Sequence, residues 1–529
     1  MNQAPKLGLI IAVCIALFVL SALGALISYA PNLNLSQIVS DPYYLHVTKF
    51  SFYQALLSTV FSVGLAIPVA HALSRRQFMG KSLLLKLFSC TLVLPVLVGV
   101  FGLLAIYGNN GLLAKLFDWF DNELPFSIYG LNGILLAHIF FNLPYASRLL
   151  LLSLEGVPIE QHKLCAHLGM GHWYKFKWVE WPRLRQQLPH VCGLVFMLCF
   201  TSFATVMALG GGPKSTTIEL AIYQAIKFDF DLQAGALLAI WQMLLCGGVS
   251  LVIQKVSKKN RLSIEAIFQL IPLTDDRKIS QCWDVLWVLL SVLIVLPPLL
   301  MVVISGINSK LWQVLQDSQF WQAVEASLSI ASLASVSAVF IGICILQTSR
   351  IWRIQGRLNL ANSIEMMGTI ILVTPGLVIS TGLFLLLRKT TDVYSLAFFI
   401  VVAVNALTAL PYVIKTLSEP FFQIVQQYQL LTMSLGMKGW RRFLLIEWRA
   451  LRKPIAQAFT ISFMLSIGDL SAIALFGSQD FKTLPLYLFQ LLGSYQMEAA
   501  AVVSLVLLLL SVGSFTLVEK LFGRAHAQS

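Results

Sequence analysis

Apolar runs of about 20 residues recur from one end of the chain to the other and limit what it can fold into. A helix of about 20 apolar residues crosses a hydrocarbon layer of about 30 Å. The sequence therefore predicts an all-α polytopic membrane protein with about 12 transmembrane helices. The predicted helices cover residues 7–29, 52–73, 84–107, 130–152, 189–211, 234–254, 283–304, 321–346, 364–387, 394–415, 454–477 and 496–519.

The composition supports the membrane class. Only 12% of the 529 residues are charged and 57% are hydrophobic, which leaves too few charges to cover a soluble particle. The first apolar run is longer than the 7–15 residues of a secretory signal core, so we expect it to be retained as a helix. The eight cysteines lack CxxC or metal-ligand spacing, and we interpret them as small buried side chains rather than metal or disulfide ligands.

The net charge of +13 could indicate a surface that binds nucleic acid. The positions of the basic residues favour another explanation. An even number of spans puts both termini on one side, and 29 of the 37 Lys and Arg residues fall on that side. Cytoplasmic loops of membrane proteins are enriched in Lys and Arg. We therefore predict cytoplasmic termini and no nucleic-acid partner.

A polar, aromatic segment occurs twice in this apolar chain. LGMGHWYKFKWVEWPRLR at 168–185 and LGMKGWRRFLLIEWRALR at 435–452 share nine identical residues at one offset of 267. FYQA at 52–55 recurs as FWQA at 320–323, so the repeat extends beyond this segment. The sequence therefore predicts two parallel six-helix halves, 1–254 and 283–529, joined by a cytoplasmic linker, 255–282. Such halves enclose a path between them, as in transporters and channels.

Each repeated segment lies in the cytoplasmic loop between the fourth and fifth helices of its half. Gly169 is expected to end a short helix in the left-handed conformation. A second short helix would then present Trp173, Phe176 and either Val179 or Trp181 at a spacing of about three residues. The loop could lie on the inner leaflet of the membrane or bind a protein. Its duplication favours a protein partner with two equivalent sockets.

These loops resemble the EAA loop of permease subunits in binding-protein-dependent ABC importers. In that family a helix is followed by Gly, nine residues, an aliphatic residue, one more residue and an apolar–Pro pair. The residues that match are Gly169, Val179, Trp181 and Pro182 in the first loop and Gly436, Ile446 and Trp448 in the second. Both Glu-Ala-Ala triplets are replaced, and Arg449 stands where the second Pro is expected.

Over nearly its whole length the chain is similar to fused permeases for thiamine and thiamine pyrophosphate. The stretches that carry this similarity are FNLPYASRLLL at 141–151, FATVMALGGGPKSTTIELAIYQAI at 203–226, LSIGDL at 465–470 and TLPLYLFQLLGSY at 483–495. The resemblance implies a bacterial inner-membrane permease that translocates thiamine and its phosphate esters, delivered by a periplasmic thiamine-binding protein. A fused permease for ferric iron or another small solute is an alternative, because the loops are uninformative about the substrate.

The resemblance also implies that the loops are coupling helices bound by two copies of a cytoplasmic ABC ATPase, which would hold ATP and Mg²⁺. The expected coupling residues are Gly169, Trp173, Phe176, Val179, Pro182, Gly436, Trp440, Phe443 and Ile446. No cofactor or metal is expected in this chain, which is interpreted as a permease and not an enzyme. Its one Gly80-Lys81-Ser82 sequence has Arg75 where a P-loop needs its first glycine.

Asp469 is an acid within an apolar run, and Ser202 occupies the matching position of the first half. An acid in a membrane helix usually faces a cavity or a partner helix. Asp469 could therefore contact a cationic ligand in the translocation pathway, or it could be a hydrogen-bonded structural acid. An ion-coupled secondary transporter is a less favoured alternative, since it would embed several acids, and only Asp469 is convincingly embedded in the predicted helices.

Overall fold

The computed structural model describes residues 6–30, 38, 40–91, 94–122, 125–256, 278–369, 371, 374–388, 395–437 and 443–523. These residues form helices, turns and connecting segments. Most of the predicted linker, 257–277, lies outside the described residues. Its two ends belong to the flanking helices, Leu232–Val256 and Lys278–Gly306.

The described residues of the first half form twelve helices of very different length. They are α1 Lys6–Tyr29, α2 Pro42–Arg75, α3 Lys81–Thr91, α4 Val96–Tyr107, α5 Leu112–Asp118, α6 Leu131–Glu155, α7 Ile159–His167, α8 His172–Lys175, α9 Trp181–Phe200, α10 Phe203–Leu209, α11 Ile218–Lys227 and α12 Leu232–Val256. A π-helical turn, Phe176–Glu180, joins α8 to α9. A 3₁₀ turn, Pro213–Ser215, precedes α11.

The second half repeats this order with small changes. Its helices are α13 Lys278–Gly306, α14 Leu311–Gln316, α15 Ser318–Ile354, α16 Leu358–Gly368, α17 Gly376–Arg388, α18 Ala397–Ser434, α19 Trp448–Ile467, α20 Ser471–Phe476, α21 Leu484–Gly493 and α22 Met497–Gly523. A π-helical turn, Phe443–Glu447, precedes α19 at the position equivalent to that before α9. Thus the sequence repeat corresponds to a repeat of elements, including the unusual π turn.

Ten helices of the described residues are long and apolar enough to cross a membrane, which confirms the fold class. The predicted fifth span is the bent pair α9–α10, whose axes differ by 52°. The third span lies at Val96–Asp118, displaced from the predicted 84–107. Pro95 is the N-cap residue of α4. Because proline has no amide N–H to donate within a helix, α4 begins as a separate helix at this point. The predicted ninth span is likewise divided, into α16 and α17.

The first helix of each half packs against the other half. Helix α1 contacts α15 and α17, and α13 contacts α2 and α4. Glycines allow the closest approaches. A Cβ atom at Gly102 of α4 would overlap the carbonyl oxygen of Pro298 in α13, and one at Gly382 of α17 would overlap that of Ala22 in α1. The two halves are therefore interlocked by equivalent helix crossings.

Substituting either crossing glycine should destabilise the fold. Gly102→Ala or Gly382→Ala places a methyl group against backbone that cannot rotate away, and overpacking of this kind costs about 1–3 kcal/mol. Thermal unfolding of the detergent-purified protein should show a lower midpoint for both variants. Gly64→Ala in α2 is the matched control, since nothing lies within 4 Å of a Cβ there. A midpoint for the crossing variants equal to that of Gly64→Ala would contradict the interlock.

Candidate functional site

The two repeated loops lie at one end of the bundle. Helix α13 begins beside the end of α2, where Arg76 Nε is 2.7 Å from Asp284 Oδ2. It then crosses the bundle, and α15 returns to the end from which α13 started. Arg350, near the end of α15, binds Glu447 of the second loop. His71, near the end of α2, binds Glu180 of the first loop.

Glycine terminates the helix at the start of each loop. Gly169 has φ +62° and Gly436 has φ +60°, the left-handed conformation expected from the sequence. The Gly169 amide donates to the carbonyl of Ala166 at 3.1 Å, and the Met170 amide donates to that of Cys165 at 3.0 Å. This pair of bonds is a Schellman motif, which needs a residue with positive φ at its C′ position. The left-handed backbone conformation explains why a glycine occupies position 169. Steric crowding does not explain it, because nothing lies within 4 Å of a Cβ atom built at Gly169.

Phe176 anchors the first loop to the membrane helices. Its ring centroid is 5.0 Å from that of His71, in an edge-to-face arrangement. It also lies 6.1 Å from the Trp173 ring and 6.0 Å from the Trp181 ring. Trp173 itself is 68% exposed. Phe176 therefore positions the loop, whereas Trp173 is available to a partner.

The remaining predicted residues have mixed environments. Val179 is half-buried and Pro182 is exposed in the first turn of α9, where a proline is well tolerated. In the second loop Gly436 is exposed and Ile446 is half-buried. Phe443 begins the second π turn. Trp440 lies outside the described residues.

Each loop contains a buried glutamate that sequence reasoning left without a role. Glu180 Oε2 is 2.9 Å from His71 Nε2, and its Oε1 is 3.5 Å from Lys175 Nζ. Glu447 Oε1 is 2.9 Å from Arg350 Nη1, and both side chains are buried. The two acids occupy equivalent positions at the end of the π turns. Their identity in both repeats, within an apolar and basic stretch, was the available signal.

The first loop is also connected to the other half. Asp284 of α13 is buried and accepts from Arg76 at 2.7 Å. Arg75 Nη2 donates to Ser280 of the same helix at 2.6 Å and lies 3.2 Å from Nδ1 of His172 in α8. Two arginines at the end of α2 thus bridge the first loop and the second half.

His162 of α7 belongs to the same region. Burial lowers the pKa of His162, and the charge of Lys175 lowers it further, although Glu180 acts in the opposite direction. His162 is therefore neutral at pH 7. Helix α7 thus adds no positive charge of its own at this position.

Large apolar side chains are exposed on the first loop. We define the loop patch as Leu164, Leu168, Trp173, Tyr174 and Trp178, which are 58–68% exposed. Exposed clusters of this kind mark interaction surfaces, and Trp and Tyr are enriched at binding hot spots. On the second loop Leu435, Leu445 and Trp448 are exposed. The geometry therefore offers two similar surfaces at one end of the molecule.

Asp469 and Ser202 lie at equivalent breaks, between α19 and α20 and between α9 and α10. Asp469 Oδ1 accepts from Ser471 Oγ at 2.8 Å, and its Oδ2 accepts from the Ala472 amide at 3.2 Å. Its carboxylate therefore caps α20, and contact of Asp469 with a cationic ligand stays a prediction. Ser202 Oγ donates to the carbonyl of Cys199 at 2.8 Å.

Asp469 is not the only embedded acid, contrary to the expectation from the sequence. Glu219 of α11 is 3% exposed and accepts a hydrogen bond from Gln242 Nε2 at 3.0 Å. Hydropathy missed it because α11 is too short to read as a separate apolar run. Asp284, placed at the start of a predicted span, is buried as well.

Comparison with known proteins finds a family model and several relatives that match the chain. Residues 357–525 match the family model described as binding-protein-dependent transport system inner membrane component. The chain is 48% identical to the thiamine transport system permease protein ThiP of Salmonella typhimurium strain LT2, covering 99% of this chain and 97% of the relative. It is 43% identical to the protein of that name from Haemophilus influenzae, and the match covers 95% of this chain and 93% of the relative. It is 39% identical to the protein of that name from Brucella abortus, and the match covers 88% of this chain and 86% of the relative.

The buried Arg350–Glu447 pair should be important for stability. Glu447→Gln removes the negative charge beside a buried guanidinium, and breaking a buried pair in this way costs about 3–5 kcal/mol. We expect a clearly lower unfolding midpoint in detergent. Glu365→Gln is the matched control, because its pair with Arg353 has a similar distance of 3.0 Å but is partly exposed. Equal losses in the two variants would show that burial of the pair does not matter.

Proposed function

The chain belongs to the family of thiamine transport system permeases, multi-pass membrane components of ABC importers, and we propose that thiamine and its phosphate esters are its own substrates. The similarity extends over nearly the whole chain and not only over the loops. Two halves with the same order of elements are typical of transporters that work by alternating access. A fused permease for ferric iron or another small solute remains the alternative from the same class.

The two loops are proposed as the contact sites for two copies of a cytoplasmic ATPase. The observation that carries this proposal is their equivalence. Each loop has a glycine with φ near +60°, a π turn and a buried glutamate bound to the long helix of its half. A partner with two-fold symmetry can bind both loops in the same way. The loop end of the bundle would then face the cytoplasm, and so would both termini.

ATP and Mg²⁺ are proposed to bind to that partner and not to this chain. Gly80 lies in the turn after α2, and Lys81 and Ser82 begin α3, so the sequence does not form a loop after a strand. Lys81 Nζ donates to the backbone carbonyls of Leu73 at 2.6 Å and Arg76 at 3.0 Å. This lysine is therefore used to close the turn.

A periplasmic thiamine-binding protein is proposed to dock at the opposite end of the bundle. The described elements at that end include the short helices α5, α11, α14 and α21. The loop patch and this end are separated by the length of α6, 25 residues or about 37 Å of helix. Energy from the ATPase must therefore pass through the long helices.

Substitution of Gly169 tests the role of the loop geometry. A left-handed conformation costs an L-residue about 1–2 kcal/mol, so Gly169→Val should disfavour the turn that orients the loop. In a strain lacking its own thiamine uptake, we expect the variant to transport labelled thiamine at least threefold more slowly than the wild type. Gly171→Val is the matched control two residues away, because Gly171 has φ −64° and open space around it.

Two results would contradict this interpretation. Equal uptake by the two glycine variants would mean that the turn is unimportant for coupling. No uptake by the wild type, in a strain that expresses the ATPase and the binding protein, would exclude thiamine as the substrate.

Truncation of the loop patch tests the partner surface. Trp173→Ala with Trp178→Ala removes two exposed rings, and hot-spot aromatics contribute more than about 1 kcal/mol each to binding. We expect at least a tenfold loss of co-purifying ATPase with little change in thermal stability. Trp119→Ala, 81% exposed and located after α5, is the control. Retention of the ATPase by the double variant would contradict the assignment of this surface.

A further inference from the structure

A cavity lies between the two halves at the end of the bundle opposite to the loops. Its volume is about 370 Å³, within the range of small-molecule sites. Tyr129, which lines it, precedes α6, and α6 runs from there to the first loop. Most of the remaining lining comes from α10 and α11 of the first half and from Phe489 of α21 in the second half.

Two aromatic residues that line the cavity occupy equivalent positions in the two halves. Tyr223 is the sixth residue of α11, and Phe489 is the sixth residue of α21. These two helices are equivalent in the two halves, so the aromatic rings come from equivalent positions. A site shared in this way changes shape when one half moves against the other, which suits a site on the transport path.

Aromatic rings dominate the cavity wall. Tyr129, Tyr223, Phe228 and Phe489 line it together with the Gln224 amide side chain. The Tyr223 ring is held edge-to-face by Phe203, with centroids 5.4 Å apart, and by Phe228 at 5.6 Å. The faces of aromatic rings are negative and attract organic cations, most strongly where water is excluded.

Full charges are directed away from this wall. No Asp, Glu, Lys or Arg is among the described residues that line the cavity. Lys227 of α11 donates to the carbonyls of Leu475 at 3.4 Å and Gly477 at 3.2 Å in the second half. Glu219 is bound to Gln242. The cavity therefore offers stacking and cation–π contacts, and no cationic side chain for a phosphate.

We propose that this aromatic cavity is the site where the permease receives its ligand, as an aromatic organic cation recognised by its ring system. The proposal rests on the proposed function, because the thiazolium and pyrimidine rings of thiamine belong to this chemical class. Tyr223 and Phe489 provide the two principal ring contacts, one from each half. Because the cavity contacts only the rings, it can bind thiamine itself. The charged group of a phosphate ester would lie outside the cavity.

The test is binding of labelled thiamine to the purified full chain in detergent, without binding protein. Tyr223→Leu and Phe489→Leu keep an apolar wall but remove the ring, so the Kd should rise roughly three- to thirtyfold in each. Tyr223→Phe and Phe489→Tyr keep the ring and should bind as the wild type does. Phe120→Leu, at an exposed aromatic outside the cavity, is a further control.

Uptake by cells that express the wild type separates the two proposals. If these cells take up thiamine but the leucine variants bind it with unchanged Kd, the cavity assignment is overturned and the proposed function stands. If the wild type restores no uptake of thiamine, the proposed function fails and this proposal fails with it. Weaker binding in the leucine variants and normal binding in the ring-retaining variants would support the cavity.

Discussion

A backbone group inside a hydrocarbon layer has no water to bind, and this constraint applies to the breaks in the membrane helices. Continuous helices satisfy it by themselves, so each break needs a donor or acceptor from a neighbouring helix. At the α9–α10 break, the carbonyl of Cys199 accepts from Gln54 Nε2 at 2.9 Å and from Ser202 Oγ at 2.8 Å. At the equivalent α19–α20 break, the carbonyl of Ser466 accepts from Asn405 Nδ2 at 3.3 Å. Buried polar side chains thus make the breaks possible.

The short helices that border the cavity depend on the same principle. The Ile218 amide at the start of α11 donates to Ser51 Oγ of α2 at 3.0 Å, and the Leu484 amide at the start of α21 donates to Ser327 Oγ of α15 at 2.7 Å. Since free amides at a helix start must be paired, these two serines fix where α11 and α21 begin. They also fix the height of the aromatic rings that follow. One long helix in each half therefore organises both ends of the molecule, the loop end through its contact with the buried glutamate and the cavity end through a serine hydroxyl group.

Hydropathy and the repeat predicted the fold class and the left-handed glycines, because these depend on local sequence. The pattern could not reveal partners distant in the chain. Glu180 meets His71 only after folding, and Glu219 is buried only because α11 folds into the bundle. The hydropathy pattern also predicted parts of α3 and α4 as one span, because Pro95 interrupts the helix but not the apolar run. The roles of the predicted coupling and pathway residues, among them Phe176 and Asp469, remain predictions.

The connections of the two loops differ, although both loops contain a glycine with positive φ, a π turn and a buried glutamate. The long helix beside the first loop reaches across to the second half through Arg76 and the buried Asp284. The long helix beside the second loop pairs Arg353 with Glu365 in its own half. Among the described ion pairs, those at the first loop therefore reach both halves and those at the second loop stay within one half, although α15 also packs against α1. Because the first helix of each half also packs on the opposite half, simple separation would break both crossings.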